Sequence, residues 1–289
     1  MITLELSGGL GNQMFQYALY LKLKSMGLKV QTDTTFYDTK RAGRELQLCV
    51  FEGVDESELS RVRKNLFEKW IKPSVYEDKI CTYQPEVFDN KNVILRGYWQ
   101  NERYFYDIAE TIHKTYTFKD NLIDSSNRCL AEQIEKDKAV SIHIRRGDYV
   151  QVEFEGVYGK ICTTEYYRRA ISYLVEKIPN AVFYFFSDDM EWVKRNISLM
   201  NNDGNNILIP EDNIRYVDIN HGDKSYLDMY LMSKCKYHII ANSTFSWWGA
   251  WLGNNTDKIV IAPDRWFQNH ECTDIICNDW VRIETINGS

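Results

Sequence analysis

The 289 residues predict an α/β protein of two domains, each a mainly parallel sheet with helices on its faces. Three observations carry that reading. The chain is too long for one small core and suits two domains of ordinary size. Short apolar runs alternate with stretches of helical spacing, the pattern of β-α-β units. Polar clusters then recur at the C-terminal ends of the apolar runs, the edge where open α/β sheets bind ligands.

The first run is Ile2-Thr3-Leu4-Glu5-Leu6, a buried strand followed by Ser7-Gly8-Gly9-Leu10-Gly11-Asn12-Gln13. Met14, Ala18 and Leu21 recur at helical spacing after it, and Gly27 stands where a C-cap belongs. Leu28 to Thr32 reads as a second strand. Residues 45–135 read as mostly helical, with a helix starting near Asp55; Val93-Ile94-Leu95 and Gly97-Tyr98-Trp99-Gln100 form an isolated strand and turn.

Clear alternation returns with Ala139-Val140-Ser141-Ile142-His143-Ile144, which ends in Arg145-Arg146-Gly147-Asp148. Further strands are expected at 181–186, 206–209, 235–241 and 258–262, with helices at 164–177, 189–197, 224–233 and 245–252. The expected division is 1–135 and 136–289.

Composition narrows the function. A net charge of −6 argues against non-specific nucleic-acid binding, which needs a basic face. No basic-then-apolar leader precedes the first strand, and no apolar run approaches the ~18 residues of a membrane span. The cluster Arg61, Arg63, Lys64, Lys69 and Lys72, interleaved with Leu66, Phe67, Trp70 and Ile71, suits either an ordinary amphipathic helix or peripheral contact with an anionic membrane. Seven cysteines without a Cys-x-x-Cys pair point to reduced thiols in a cytoplasmic setting and to no structural zinc.

Three strand ends and one helix carry candidate chemistry. The glycine loop, with Gly9, Gly11, Asn12 and Gln13, lets backbone N–H groups approach an anion or a sugar. Gly9-x-Gly11 followed by Asp33 also suits a dinucleotide fold, but Met14 stands where the third glycine belongs; a tight turn without ligand is the remaining reading. His143, Arg145 and Arg146 end a strand, and arginine grips phosphate oxygens in bidentate fashion. Either the arginines meet a diphosphate or they pair with carboxylates such as Asp148; His143 is either a ligand contact or a satisfied core histidine. Asn242, Ser243, Thr244 and Ser246 sit at a strand-to-helix junction, as a phosphate seat or as simple N-caps. Trp247 and Trp251, four apart, read as packing. Asp228 lies in the preceding helix, where a carboxylate either accepts from a nucleotide or is plain surface charge.

Together these motifs resemble glycosyltransferase family 11, the α-1,2-fucosyltransferases. The resemblance runs through Gly8–Ala18, Gly97–Gln100, His143-x-Arg145-Arg146-Gly147-Asp148-Tyr149, Ser187-Asp188 and Asn242–Gly249. It implies a GT-B-like pair of Rossmann-like domains facing across a cleft, with the acceptor on the first and the donor on the second. The implied donor is GDP-β-L-fucose, inverted to an α-fucoside at the 2-hydroxyl of a terminal β-galactose. A nucleotide-sugar sensor and a fucosyltransferase of other linkage are the alternatives. It further implies Arg145 and Arg146 on the diphosphate, His143 near the nucleotide, Ser243, Thr244 and Ser246 on phosphate, and Asp228 near guanine. Asn12 and Gln13 would lie over the fucose and the acceptor. Candidates for the general base are Asp148, Glu153 and Glu155. No cofactor or metal is expected, since no Asp-x-Asp motif appears and arginines replace a cation.

Overall fold

Five of the six residues of Ala139–Ile144 are apolar or small, and all six are buried, so this segment can only be the middle strand of a sheet covered on both faces. It occupies that place in the second of two units, Met1–Leu122 and Ile123–Ser289. The computed structural model describes residues 1–38, 44–59, 73–80, 82–147, 159, 161–204, 206–268, 272 and 274–285. The division falls earlier than the expected 135/136, because helix α3 (Ser125–Lys136) packs on the second unit's sheet and on a helix beside it.

In the first unit, β1 (Ile2–Glu5), β2 (Val30–Asp33), β3 (Ser74–Glu77) and β4 (Val93–Arg96) form a parallel sheet of order β2-β1-β4-β3. Leu4 lies beside Thr32 on one side and Leu95 on the other. Helix α1 (Leu10–Ser25) buries Met14, Phe15, Ala18 and Leu19 against this sheet and its surroundings. Its last turn closes as Gly27 N–H donates to Lys24 O, the expected C-cap. The segment 45–135 departs from the helical expectation. Its described residues hold single 3-10 turns and two α-helices, α2 (Ala109–Thr115) and α3. Asp55 starts only the turn Glu56–Glu58, capping Ser57 N–H at 2.9 Å. The basic cluster at 61–72 lies outside the described residues.

The second unit continues with α4 (Thr164–Lys177), β6 (Val182–Ser187), α5 (Met190–Asn201) and a two-residue-arm hairpin, β7 (Asn202–Asp203) and β8 (Asn206–Ile207). It closes with β9 (Ile214–Val217), α6 (Tyr226–Lys234), β10 (Tyr237–Ile239), α7 (Thr244–Trp251), β11 (Val260–Pro263) and β12 (Val281–Ile283). The six-stranded sheet is parallel throughout, ordered β12-β11-β10-β5-β6-β9, where β5 is Ala139–Ile144. Counted along the chain this is the doubly wound order 3-2-1-4-5-6, which reverses direction between β5 and β10.

In this sheet one expected strand is missing and two others take part. The run at 206–209 does not join this sheet: Ile209 is buried and its backbone is tied to the Asn201 amide, which donates to Ile209 O at 2.9 Å and accepts from its N–H at 2.6 Å. The sheet instead takes β9 and, at its other edge, β12. One cysteine also departs from expectation. Cys272 is disulfide-bonded, whereas Cys277, its only near neighbour in sequence, keeps its thiol.

Candidate functional site

The reversal between β5 and β10 is the point where two crossovers leave the sheet in opposite directions, opening a crevice at the strand C-termini. β5 delivers His143, Arg145 and Arg146 to that edge, β10 delivers Asn242 to Ser246, and β6, on the other side of β5, delivers Ser187, Asp188 and Asp189.

Among the described residues, Asp188 and Asp189 at the end of β6 are carboxylates that meet the arginines. Arg145 Nη1 lies 2.7 Å from Asp188 Oδ2, and Asp188 Oδ1 accepts the Arg146 backbone N–H at 2.9 Å. Gly147 admits this carboxylate, since a Cβ there would lie 2.5 Å from Asp188 Oδ2. Arg146 donates from Nε to Asp189 Oδ2 at 3.4 Å, while Asp189 Oδ1 caps α5 by accepting Trp192 N–H at 3.0 Å. The Arg146 guanidinium lies 4.0 Å over the Trp192 ring. An ion pair this exposed contributes ~0–1 kcal/mol, and the cation–π contact about as much. Stacking thus holds the plane as firmly as charge does. Nε and one face are used, while the terminal Nη nitrogens of Arg146 meet no hydrogen-bonding group among the described residues. The outcome lies between the two sequence readings: both arginines meet carboxylates, yet among the described residues Arg146 is fixed with its fork unspent.

His143 is buried, and its Nδ1 has no hydrogen-bond partner among the described residues. Burial pushes its pKa down to about 4; Asp188 opposes this and Arg145 adds to it. The imidazole is therefore neutral at pH 7. It is not the satisfied core histidine of one sequence reading. Its ring stands 5.7 Å from Phe245 in α7, joining the ends of β5 and β10.

The β10 cluster divides. Ser243 is the N-cap of α7, yet its side chain makes no capping bond. By contrast Asp124, Thr163 and Asp189 cap α3, α4 and α5. The first N–H groups of α7, with the positive end of its dipole, thus stand beside a hydroxyl not committed to capping. Thr244 is the first helical residue and is half-buried. Asn242 and Ser246 do not fit the ligand roles expected of them. The Asn242 amide donates to Trp266 O at 3.1 Å and accepts from Cys162 Sγ at 3.5 Å. The Ser246 hydroxyl is buried and directed at Ser243 O and Ala241 O. Asn242 ties the strand end to the segments around Trp266 and Cys162, and Ser246 ties the helix to the strand end. Trp247 and Trp251 stack with ring centroids 6.1 Å apart, as packing residues.

Asp228, on α6, is partly buried and accepts from Asn220 Nδ2 at 2.8 Å; Asn220 is in turn paired with Asn127. Burial raises its pKa to about 7, partly offset by the Asn220 bond and reinforced by Asp218. Such a carboxyl is not plain surface charge. Asp148, Glu153 and Glu155 lie outside the described residues.

In the first unit, Gly9 is the N-cap of α1 and Gly11 lies in its first turn, again with no side-chain cap. Asn12 accepts from Gln100 Nε2 at 2.9 Å. Gln13 is a correction. Fully buried, its amide donates to Gly8 O (3.0 Å) and Glu45 O (2.8 Å) and accepts Gln47 N–H (2.8 Å), so it is spent on shaping the loop. Among the described residues no three His, Cys, Asp or Glu side chains gather as metal ligands would, and no helix is long and apolar enough to cross a membrane.

The sequence profile of Glycosyl transferase family 11 matches residues 1–284. The chain belongs to glycosyltransferase family 11. Among family 11 relatives, an alpha-1,2-colitosyltransferase of Escherichia coli is 37% identical over 98% of this chain and 99% of its own. The O-antigen biosynthesis glycosyltransferase WbnK of Escherichia coli is 30% identical over 96% and 99%. Human galactoside alpha-(1,2)-fucosyltransferase 1 is 25% identical over 58% of this chain and 45% of its own. A crystal structure of NodZ alpha-1,6-fucosyltransferase soaked with GDP-fucose superposes with a TM-score of 0.51 at 16% identity, over 87% of this chain and 92% of that one. At that identity the likeness speaks to fold alone. It agrees with two parallel α/β units of the GT-B type.

Trp192 is a site residue that the sequence motifs do not include. Its signal is Asp189-x-x-Trp192 at a helix start, where the N-cap and the third helical residue lie on one turn.

Proposed function

We propose that this family 11 glycosyltransferase moves L-fucose from GDP-β-L-fucose to the 2-hydroxyl of a terminal β-galactoside, with inversion to the α-fucoside. The observation that carries the donor half is the strand order: the arginine pair and the α7 N-terminus flank the crevice where the doubly wound sheet reverses. Arg146 presents its Nη fork to the diphosphate, and the α7 N–H groups with Ser243 and Thr244 take a second phosphate oxygen. Neutral His143 supplies one donor to the nucleotide, and ionised Asp228 accepts from the guanine edge or a ribose hydroxyl.

In the transfer step the acceptor oxygen forms its bond to the sugar C1 as the bond from C1 to the β-phosphate oxygen breaks. The electron pair leaves on the diphosphate, where the guanidiniums and the helix N-terminus stabilise it. The hydroxyl proton passes to Asp148 or Glu153. With two fixed cations at the leaving group, the reaction needs no divalent metal. The acceptor is a galactose-terminated glycan, and the setting is the cytoplasm, with peripheral contact to a membrane through the basic stretch 61–72.

One relative favours a second reading of the donor. Colitose is fucose without its 3-hydroxyl, and a colitosyltransferase is 37% identical across the whole chain. An assay with GDP-fucose and GDP-colitose against a panel of β-galactosides, in EDTA, separates the readings. The expected result is GDP release with GDP-fucose and a product whose anomeric proton correlates with galactose C2. Turnover with GDP-colitose alone would move the assignment to that sugar; GDP binding without transfer to any galactoside would leave a sensor.

A further inference from the structure

The turn Gly97-Tyr98-Trp99-Gln100 has no place in the donor chemistry, yet the first unit invests in its shape. β4 ends beside the C-terminal end of β1, so this turn and the glycine loop share one sheet edge. Gln16, buried in α1, joins them: it donates to Gly97 O at 2.8 Å and accepts Ser7 N–H at 2.9 Å. On the far side Asp78 Oδ2 accepts the N–H groups of both Tyr98 (3.1 Å) and Trp99 (2.9 Å). Trp99 takes a left-handed φ of 56°, a strained value for a bulky residue. Its ring is fully buried, stacked on Tyr76 and edge-on to Tyr104, with its indole N–H unpartnered among the described residues. A buried donor without a partner is a second cost, since the water it gave up is not replaced. The fold tolerates two local costs at Trp99, and their effect is to turn the neighbouring side chain outward.

That side chain is Tyr98, 37% exposed, whose hydroxyl meets no hydrogen-bonding group among the described residues. Its ring edge leans on Gly8: a Cβ at Gly8 would lie 3.2 Å from Tyr98 Cε1 and 2.7 Å from Asn12 Nδ2, and the residue holds φ at 78°. Gly8 thus lies between the Tyr98 ring and the Asn12 carboxamide, which accepts from Gln100 Nε2 at 2.9 Å, with Gln100 Oε1 left unbonded among the described residues. Beside them a Cβ at Gly9 would meet nothing within 4 Å. An aromatic ring, two amides and open space at a strand-end edge are complementary to a pyranose, which offers an apolar C–H face and a rim of hydroxyls.

We propose that Tyr98, Asn12 and Gln100 form a pyranose-binding platform in which the ring stacks on the sugar and the amides bind its hydroxyls. The inference rests on the transferase reading for which sugar it takes: the acceptor galactoside or the transferred fucosyl unit. The two share this chemistry, and two probes distinguish them.

Saturation-transfer NMR with methyl β-D-galactoside and with methyl α-L-fucoside is run on the wild type and on Tyr98→Ala, Tyr98→Phe, Gly9→Val and Arg146→Ala. The expected result is signal from at least one glycoside on the wild type, reduced about five- to tenfold in affinity by Tyr98→Ala. Tyr98→Phe and Arg146→Ala retain it. Gly9→Val, which projects into open space and leaves the fold intact, abolishes it. The glycoside that responds names the sugar. Equal signals in wild type, Tyr98→Ala and Gly9→Val, or no signal from either glycoside, overturn the platform. Since the probes carry no nucleotide, a failure of the GDP-sugar reading shows separately, as absent GDP binding with the glycoside signal unchanged.

Discussion

The Arg146 guanidinium lies flat over Trp192 at 4.0 Å while its Nε points at Asp189. Because Asp189 also caps the helix that carries Trp192, one residue fixes the ring and the cation together. A flexible cation becomes an oriented fork, so part of the ordering cost of anion binding is met in the fold itself.

Trp192→Leu is expected to weaken GDP binding about fivefold, the loss of roughly 1 kcal/mol of stacking. Trp192→Phe should keep most of the affinity. Titration calorimetry of the three proteins checks this, and equal affinities would remove the positioning role.

Asp228 makes the nucleotide site sensitive to pH. Its folded-state pKa, raised to about 7 by burial, leaves it half protonated at neutrality. A contact that requires the carboxylate should strengthen as pH rises from 6 to 8, and Asp228→Asn should flatten that dependence. The same shift acts oppositely on stability. Between pH 3.8 and 7 the folded state binds the extra proton, so this group's contribution falls as pH rises through that window. A pH-independent GDP affinity in the wild type would contradict the assignment.

His143 and His238 work the other way. Burial lowers their folded-state pKa to about 4 and about 3, with Arg145 and Lys258 respectively adding to it. The unfolded chain binds protons first, so stability is full above pH 6.5 and is lost as pH falls toward 4. Each histidine then contributes a loss of about 1.4 kcal/mol per pH unit. Urea midpoints should fall between pH 7 and pH 5; a midpoint that holds or rises over that interval would contradict buried, neutral rings.

Asp148 and Glu153 are separated by substitution. The residue that serves as general base should lose about 10²–10⁴-fold in kcat as the amide, with GDP affinity unchanged, while the other keeps most of its rate. Rapid-quench measurement of the Asp148→Asn and Glu153→Gln proteins reads this directly. If neither substitution lowers kcat, leaving-group stabilisation carries the step without a carboxylate base.

Much of this was legible from pattern. β5 showed itself because a strand buried on both faces is apolar nearly throughout, and the clusters after β5, β6 and β10 followed from strand ends. The glycine loop was legible as a turn, but the burial of Gln13 was not: an amide that serves three backbone groups looks in sequence like one that serves a ligand. The same ambiguity hid the inward turn of Asn242 and Ser246. β3 escaped notice because Ser74–Glu77 is an exposed edge strand with little apolar signature. β9 was displaced by the stronger apolar run at 206–209, which buries Ile209 without pairing into the large sheet. The partners of the arginines were long-range, forty-odd residues away in sequence, where spacing carries no information.

The proposed donor site requires that Arg146 hold a nucleoside diphosphate. Calorimetric titration of GDP into wild type, Arg146→Lys and Arg146→Ala, with melting curves for each, tests it most directly. Loss of a charge-assisted contact should lower affinity about ten- to hundredfold in the alanine protein, and less in the lysine protein, with melting temperatures close to wild type. Undiminished GDP binding by a folded Arg146→Ala protein would contradict it.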